Sequence, residues 1–228
     1  MTSRVPSKRV RKTPEARRAE IVAAAAEIAL AEGLELITVR RVADELSVRP
    51  GLISHYFPVA EDLVAEAFGD AATGELDQLL PAVRPNGQAL QSLTRFFSLT
   101  GGKRYDDISR LWLNARHLSR YRVSLAERVA HQESLWRDRL TGLIREGVDE
   151  GVFDTGDPLV AAISILVVLD GLGVHANTDR SDRPRAVTVM AATTAERVLG
   201  LAPETLAPHA LASAEPLASP TSAPPPTD

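Results

Sequence analysis

The polar side chains with the most distinctive spacing lie near residue 50. Four of them fall on, or just ahead of, one short predicted helix: Arg49, Ser54, His55 and Tyr56. Guanidinium, hydroxyl and imidazole groups on one helix can hydrogen-bond to the edges of nucleic-acid bases, and an arginine can bond two acceptors of guanine at once. These residue types therefore point to nucleic-acid contacts.

Two short helices joined by a tight turn must position these side chains. Thr38 is predicted to cap the first helix, and Pro50 suits the first turn of the second. Apolar residues at the crossing brace one helix against the other: Val42, Ala43, Leu46, Val48 and Ile53. This is the pattern of a helix-turn-helix, whose second helix lies in the major groove of DNA.

Four short motifs surround this helix pair: Glu32-Gly33, Thr38-Val-Arg-Arg-Val-Ala43, Ile53-Ser-His-Tyr-Phe-Pro58 and Glu61-Asp-Leu63. Together they resemble the TetR family of regulators over residues 14–68. The sequence departs from the family pattern at three positions. Ser47 stands where the family often has glycine in the turn, Ser54 where it frequently has tyrosine, and Ala60 where it commonly has a phosphate-binding lysine. Ser47 suits the turn provided that its backbone is not strongly left-handed.

The resemblance implies a transcription regulator, usually a repressor, and assigns roles to individual residues. Contacts to base edges are expected from Arg49, Ser54 and His55. Contacts to phosphates are expected from Thr38, Arg40, Tyr56, Arg11 and Lys12. Pro50 and Gly51 are expected at the same surface, where Gly51 either lets the backbone approach DNA closely or only eases packing. Taken singly, Tyr56 and Phe57 also suit core positions.

Basic residues are concentrated at the N-terminus. Residues 1–18 hold seven arginines and lysines against one glutamate, a net charge of +6, so the rest of a chain of net charge −4 carries −10. A basic arm on an acidic body suggests that one end meets a polyanion, although a solvated tail has the same composition. The sequence contains no cysteine, which excludes thiol chemistry, and no signal peptide is recognisable, so a cytoplasmic protein is expected.

Helical periodicity runs through the remaining sequence, and no alternating segment predicts a sheet. We expect an all-α fold of about nine helices, with a three-helix DNA-binding domain followed by a larger helical domain for effector binding and dimerisation. The predicted division is a disordered basic arm at 1–13, the helix-turn-helix domain at 14–60, the helical domain at 61–202 and a disordered tail rich in Pro, Ala and Ser at 203–228.

The segment from Leu159 to Leu172 is nearly all apolar. It is shorter than the roughly 20 residues of a membrane span, and it contains the acid Asp170. A helix that is apolar on all sides must be covered on all sides. A central helix of one monomer meets this need, and so does a two-fold interface with a second copy. The family resemblance implies the second arrangement, a homodimer through the helices at about 158–177 and 184–199.

The run Leu169-Asp-Gly-Leu-Gly-Val-His175 is similar to the BetI-type subfamily, which implies a pocket for a small-molecule effector whose identity the sequence does not indicate. Such a pocket is mostly apolar with a few polar groups. The candidate lining residues are Trp112, Asn114, His117, Tyr121, Trp136 and Asp170. Asp170 lies within an apolar helix and needs a partner, either a cationic ligand or an arginine across the dimer.

Other chemistry has little support. Glu127 and His131 are four residues apart and could share a metal ion, but no third ligand is recognisable. There is no glycine-rich phosphate loop and no nucleophile elbow, so neither a cofactor nor enzymatic function is expected. Two alternatives stay open: a DNA-binding protein without an effector, and an all-helical enzyme or carrier whose N-terminal helices only resemble a DNA-binding domain.

Overall fold

The computed structural model describes residues 12–178 and 184–214, and these residues form helices without any β-strand. A short 3-10 turn lies at Leu34–Leu36. The α-helices are α1 (Pro14–Glu32), α2 (Val39–Glu45), α3 (Pro50–Tyr56), α4 (Ala60–Leu79), α5 (Ala89–Leu99), α6 (Gly102–Ser119), α7 (Val123–Asp149), α8 (Pro158–Thr178), α9 (Arg185–Thr188), α10 (Met190–Val198) and α11 (Ala207–Ala214).

The helix-turn-helix forms at the predicted position because the residues that start its helices and the apolar residues that join them favour the same arrangement. The Thr38 hydroxyl accepts a hydrogen bond from the Arg41 backbone N–H at 3.0 Å, which confirms the predicted cap of α2. Pro50 opens α3. The two helices cross over side chains that are fully buried: Val42, Ala43 and Ile53. Phe57 is also buried, which places it in the core.

The turn between α2 and α3 differs from the expectation at Ser47. Its φ is +52°, in the left-handed region that favours glycine. The Ser47 N–H donates to the Asp44 carbonyl oxygen at 3.1 Å, and the next N–H donates to the Ala43 carbonyl at 2.9 Å. These bonds hold the turn in the glycine-like conformation although the residue is serine.

The long helix α4 joins the N-terminal helices to the rest of the molecule, because it packs against α1 on one side and against α7 on another. Phe68 of α4 meets the ring of Trp112 edge-on, with ring centroids 5.0 Å apart. The buried Gln132 of α7 donates to the carbonyl of Gly69 and to the Thr73 hydroxyl of α4. The N-terminal helices therefore rest on a helix that is itself part of the larger core.

Helix α8 has 21 residues, more than the apolar run suggested, and by length and composition alone it could cross a membrane. It packs against α6, α7 and α10, and Ala162 and Ile165 are fully buried there. Away from these contacts it exposes five large apolar residues: Leu159, Val160, Ile163, Val167 and Val174. Within the described chain, α8 is thus a bundle helix with one side covered and one apolar side open.

The C-terminal part corrects two expectations. The single helix predicted at 184–199 is interrupted at Val189, where three consecutive β-branched residues lower the helix propensity. The tail predicted to be disordered from residue 203 contains α11, because the buried carboxylate of Glu196 accepts hydrogen bonds from the backbone N–H groups of Leu206 and Ala207. With these two changes the described residues hold eleven α-helices, not nine.

Candidate nucleic-acid interface and ligand cavity

One face of α2 and α3 is exposed and rich in hydrogen-bonding groups. Its residues are Arg40, Arg49, Pro50, Gly51, Ser54 and His55. Neither Arg40 nor Arg49 forms an ion pair with any described residue. Both guanidinium groups are therefore available to an outside partner.

Arg41 differs from these two arginines although it neighbours Arg40 in sequence. Its guanidinium bonds Glu32 at 2.6 Å and Glu45 at 2.8 Å, which ties α2 to the end of α1. These hydrogen bonds raise the pKa of Arg41 further above its ordinary value. Arg18 is likewise engaged, since it pairs with Glu66 and lies over the Phe57 ring at 4.6 Å. Arg41 and Arg18 thus hold the helices together, whereas Arg40 and Arg49 are exposed and have no ion pair with a described residue.

Most of the other side chains that were predicted to contact phosphates already have partners within the protein. Thr38 is exposed, but its hydroxyl oxygen already caps α2. Tyr56 is half-buried and packs edge-on against His55, with ring centroids 5.3 Å apart. Lys12 forms an ion pair with Glu20 at 2.8 Å, which it must give up to reach a phosphate. Arg11 lies outside the described residues.

Gly51 had two possible explanations, packing or close approach to DNA. A Cβ atom built at Gly51 meets no atom of the described chain within 4 Å. Packing within the protein therefore does not require glycine here. The other explanation, close approach of DNA to the backbone of α3, stays a prediction.

A cavity of about 260 Å³ lies between α4, α5, α6, α7 and α8. Aromatic rings form much of its wall: Phe96, Tyr105, Trp112 and Trp136. Aliphatic side chains, mostly of α8, line another part, and five ionisable groups also border the cavity: Glu75, Arg116, Glu133, Arg137 and Asp170. Apolar walls with a few polar groups are typical of sites for small organic molecules.

Arg116 is the charged centre of this cavity. Its guanidinium bonds both carboxylate oxygens of Asp170, at 3.1 and 2.9 Å, and bonds Glu133 at 2.9 Å. It also lies over the Trp112 ring, 5.1 Å from the centroid, within the distance of a cation–π contact. Within the described chain, the partner of Asp170 is therefore Arg116.

Glu75 is half-buried, and it faces both this cavity and a larger open groove of about 950 Å³ beside α1. Its carboxylate accepts a hydrogen bond from the Trp112 indole N–H at 2.8 Å. Burial raises the pKa of Glu75 to about 7, against the lowering effect of the Trp112 hydrogen bond. Burial also raises the pKa of Tyr105, which lines the same two spaces. The Glu75 carboxyl between cavity and groove is therefore only partly ionised at neutral pH.

Three of the six predicted pocket residues line the cavity, namely Trp112, Trp136 and Asp170. The other three do not. His117 and Tyr121 are exposed and contact each other, with ring centroids 6.1 Å apart. Asn114 points to the N-terminal helices, where it accepts from the Leu34 N–H at 2.9 Å and donates to Glu35 at 2.6 Å.

Sequence reasoning missed six polar lining residues: Glu75, Tyr105, Ser109, Arg116, Glu133 and Arg137. Arg116 had a usable signal, because it stands four residues after Trp112 and so shares its face of α6. Glu75 and Glu133 had none, since they sit among other charged residues on half-exposed helices. The helix α6 thus carries cavity residues on one face and Asn114 on another.

The pair Glu127 and His131, considered as a metal site, is exposed on α7. Within residues 12–178 and 184–214, no three histidine, aspartate or glutamate side chains are grouped so that they could hold a metal ion.

Comparison with known proteins gives two family matches. The family described as "Bacterial regulatory proteins, tetR family" matches residues 21–67. The family described as "BetI-type transcriptional repressor, C-terminal" matches residues 85–199, half of the chain. The first match covers the helix-turn-helix, and the second covers most of the helices that line the cavity. No curated protein shows significant similarity to the whole sequence.

Solved structures with the same fold are regulators. A transcriptional regulator from Pseudomonas aeruginosa PAO1 is 23% identical with a TM-score of 0.64, over 83% of this chain and 93% of that one. A TetR transcription regulator from Haloarcula marismortui is 23% identical with a TM-score of 0.65, over 81% and 96%. A transcriptional regulator from Saccharomonospora viridis, solved in complex with choline, is 20% identical with a TM-score of 0.60, over 80% and 93%. Family matches and fold agree, and this chain belongs to the TetR family of DNA-binding transcriptional regulators, with a BetI-type C-terminal domain.

Proposed function

We propose that this protein is a cytoplasmic, homodimeric repressor that binds a palindromic operator through α3 and leaves it when a small organic cation binds the cavity. The division at residue 60, with DNA binding in 14–60 and effector binding and dimerisation in 61–202, is part of the proposal. The main observation in its favour is that α6 contacts both the cavity and the helix-turn-helix region.

The proposed DNA contacts follow from which side chains are free. Arg49 stands just ahead of α3 without an internal partner, so its two N–H groups can meet the O6 and N7 acceptors of guanine. Ser54 and His55 are exposed on α3 and complete the base contacts. Arg40 on α2 meets a phosphate, together with Thr38, Tyr56, Lys12 and Arg11. Two such surfaces related by a two-fold axis read a palindrome.

The proposed ligand class follows from Arg116. This side chain is a cation placed over an aromatic ring and between two carboxylates, so the cavity already provides what an organic cation needs. A ligand cation competes with Arg116 for Trp112, Asp170 and Glu133. The choline bound by the Saccharomonospora viridis regulator belongs to this chemical class and is a suitable first probe.

The proposed coupling passes along α6. Displacing Arg116 releases its bonds to Glu133 of α7 and Asp170 of α8, which frees α6 to shift. Asn114, on another face of the same helix, then carries the shift to the Leu34 N–H at the base of the helix-turn-helix. A change in the spacing of the two recognition helices lowers operator affinity.

The test uses the only two tryptophans of the chain, Trp112 and Trp136, because both line the cavity. We expect choline to change the intrinsic fluorescence and to release a labelled operator fragment in an anisotropy assay. The uncharged isostere of choline, with carbon in place of nitrogen, is the matched control and has little effect. Equal responses to choline and to the isostere contradict the cation proposal.

A matched pair of variants locates the site. Glu133→Gln removes one cavity carboxylate and weakens the choline response, whereas Glu127→Gln alters an exposed glutamate on the same helix and leaves the response unchanged. Operator binding that ignores every tested cation supports the alternative of a regulator without an effector. Turnover of a bound compound, or failure to bind any specific DNA, supports the enzyme or carrier alternative.

A further inference from the structure

We propose that the partner subunit closes the mouth of the cavity, so that ligand capture and dimerisation are coupled. This inference rests on the proposed homodimer through α8 and adds that the binding site is incomplete in a single subunit. It follows from the positions of the lining residues around the axis of α8.

Five large apolar residues of α8 are exposed: Leu159, Val160, Ile163, Val167 and Val174. The last four form a narrow stripe, here called the α8 stripe, and Leu159 lies beside it. At 100° per residue, these four residues span a sector of about 60°. Val167 lies near the middle of the stripe and is 63% exposed. A continuous stripe of large apolar residues on a long helix is typical of a surface that meets another protein surface.

The cavity-lining residues of α8 occupy the neighbouring sector. Viewed down the helix axis they fill a sector of about 140°, with Leu169 at one edge and Val174 at the other. The two sectors overlap at Ile163 and Val174, which line the cavity and are also 42% and 38% exposed. The rim of the cavity is therefore one edge of the α8 stripe.

A second copy of this chain is the occupant that this geometry favours. An identical stripe is self-complementary about a two-fold axis, because each apolar stripe covers the other. The only charged residue of α8 on this rim, Asp170, is already neutralised by Arg116, so covering the rim leaves no unpaired charge. A partner helix seated on the α8 stripe borders Ile163 and Val174 and closes the cavity from that side.

Two consequences follow by mass action. Ligand enclosed between the subunits stabilises the dimer, and dimerisation raises the affinity for ligand by the same factor. In the absence of ligand, the dimer shields Trp112 and Trp136 from small solutes more than the monomer does.

The experiment measures collisional quenching of tryptophan fluorescence by acrylamide in the full-length protein, without any ligand. Val167→Asp places a charge in the centre of the α8 stripe but does not line the cavity, and Val83→Asp makes the same change at a loop position that is 90% exposed. Sedimentation gives the oligomeric state, and far-UV circular dichroism verifies folding. We expect Val167→Asp to be monomeric with an increased quenching constant, and Val83→Asp to match the wild type in both respects.

A second experiment needs no variant: the wild-type protein is diluted until its dimer dissociates. We expect the quenching constant to rise on dilution. The same constant for monomer and dimer overturns the inference, and so does a folded Val167→Asp variant that stays dimeric. Operator and choline binding are measured separately. If the dimer binds operator and choline but has the same quenching constant as the monomer, this inference is refuted and the proposed function is not.

Discussion

Replacing Glu75 by glutamine tests whether the cavity wall is built around a protonated carboxyl group. The amide has nearly the same shape, and its oxygen can still accept the hydrogen bond that Trp112 donates at 2.8 Å. The exchange therefore removes the possibility of ionisation while it preserves the packing. Any difference between the two proteins should depend on pH.

The sign and size of the expected stability difference follow from the pKa of Glu75. Burial raises this pKa from an ordinary 4.5 to about 7 in the folded protein. The folded state then holds its proton more tightly than the unfolded state, so the stability of the wild type falls as the pH rises from 4.5 to 7. A difference of about two and a half pH units corresponds to at most about 3 kcal/mol. Glu75→Gln avoids this loss.

We therefore expect the stability advantage of the variant to be small at pH 4 and to grow with pH, to as much as about 3 kcal/mol at pH 8. Urea unfolding at one fixed protein concentration measures this, since the stability of a dimer depends on concentration. Glu127→Gln, at an exposed position of α7, is the control and should show no gain that grows with pH. Parallel pH profiles for wild type and Glu75→Gln would refute the reasoning.

Three further substitutions have outcomes that the backbone and packing determine. Ser47→Gly relieves the left-handed turn at φ +52° and raises the free energy of unfolding by up to about 1 kcal/mol, whereas Ser47→Ala brings no gain in the same unfolding assay. Gly147→Ala places a methyl group 2.0 Å from the Phe153 ring and lowers the melting temperature, at a cost of roughly 1–3 kcal/mol, whereas Gly142→Ala in the same helix meets nothing and is tolerated. Gly51→Ala leaves stability unchanged or slightly higher, but it weakens operator binding in an anisotropy titration; full operator affinity in this variant contradicts close backbone approach.

The helix-turn-helix could be predicted because its signals are local. A threonine whose hydroxyl caps a helix, a proline in a first turn and apolar residues at helical spacing each act within a few residues of their position. Thr38 and Pro50 therefore mark where α2 and α3 begin, in the sequence as in the structure. The conformation of Ser47 is the exception, because a serine side chain carries no signal for a left-handed turn that hydrogen bonds around it impose.

The cavity could be predicted only in part, because it is built from residues far apart in sequence. Trp112 and Asp170 stood out by type, a large aromatic ring and an acid in an apolar helix. Asn114 was also predicted to line the pocket, but its position on α6 directs it to Leu34, 80 residues earlier. The partner of Asp170 is Arg116, 54 residues away, and no local pattern indicates which of many arginines it meets.

Helix α11 shows the same limit at the C-terminus. Its composition of alanine and proline predicted disorder, since a segment with few large apolar residues buries little surface on its own. A buried glutamate eleven residues before its first residue, Glu196, accepts hydrogen bonds from the N–H groups of Leu206 and Ala207 at its start. Tertiary contacts of this kind override composition, and they become visible only when the fold brings the two segments together.

The measurement that tests the central claim most directly is footprinting of the purified protein on the DNA that flanks its own gene, with wild type and Arg49→Ala side by side at moderate salt. We predict a symmetric protected site for the wild type. Arg49→Ala should bind that site more weakly by roughly 1–3 kcal/mol and lose discrimination at one base position of each half-site. Absence of any protected site, or an Arg49→Ala variant with unchanged affinity and specificity, would contradict the assignment of α3 as the element that reads the operator.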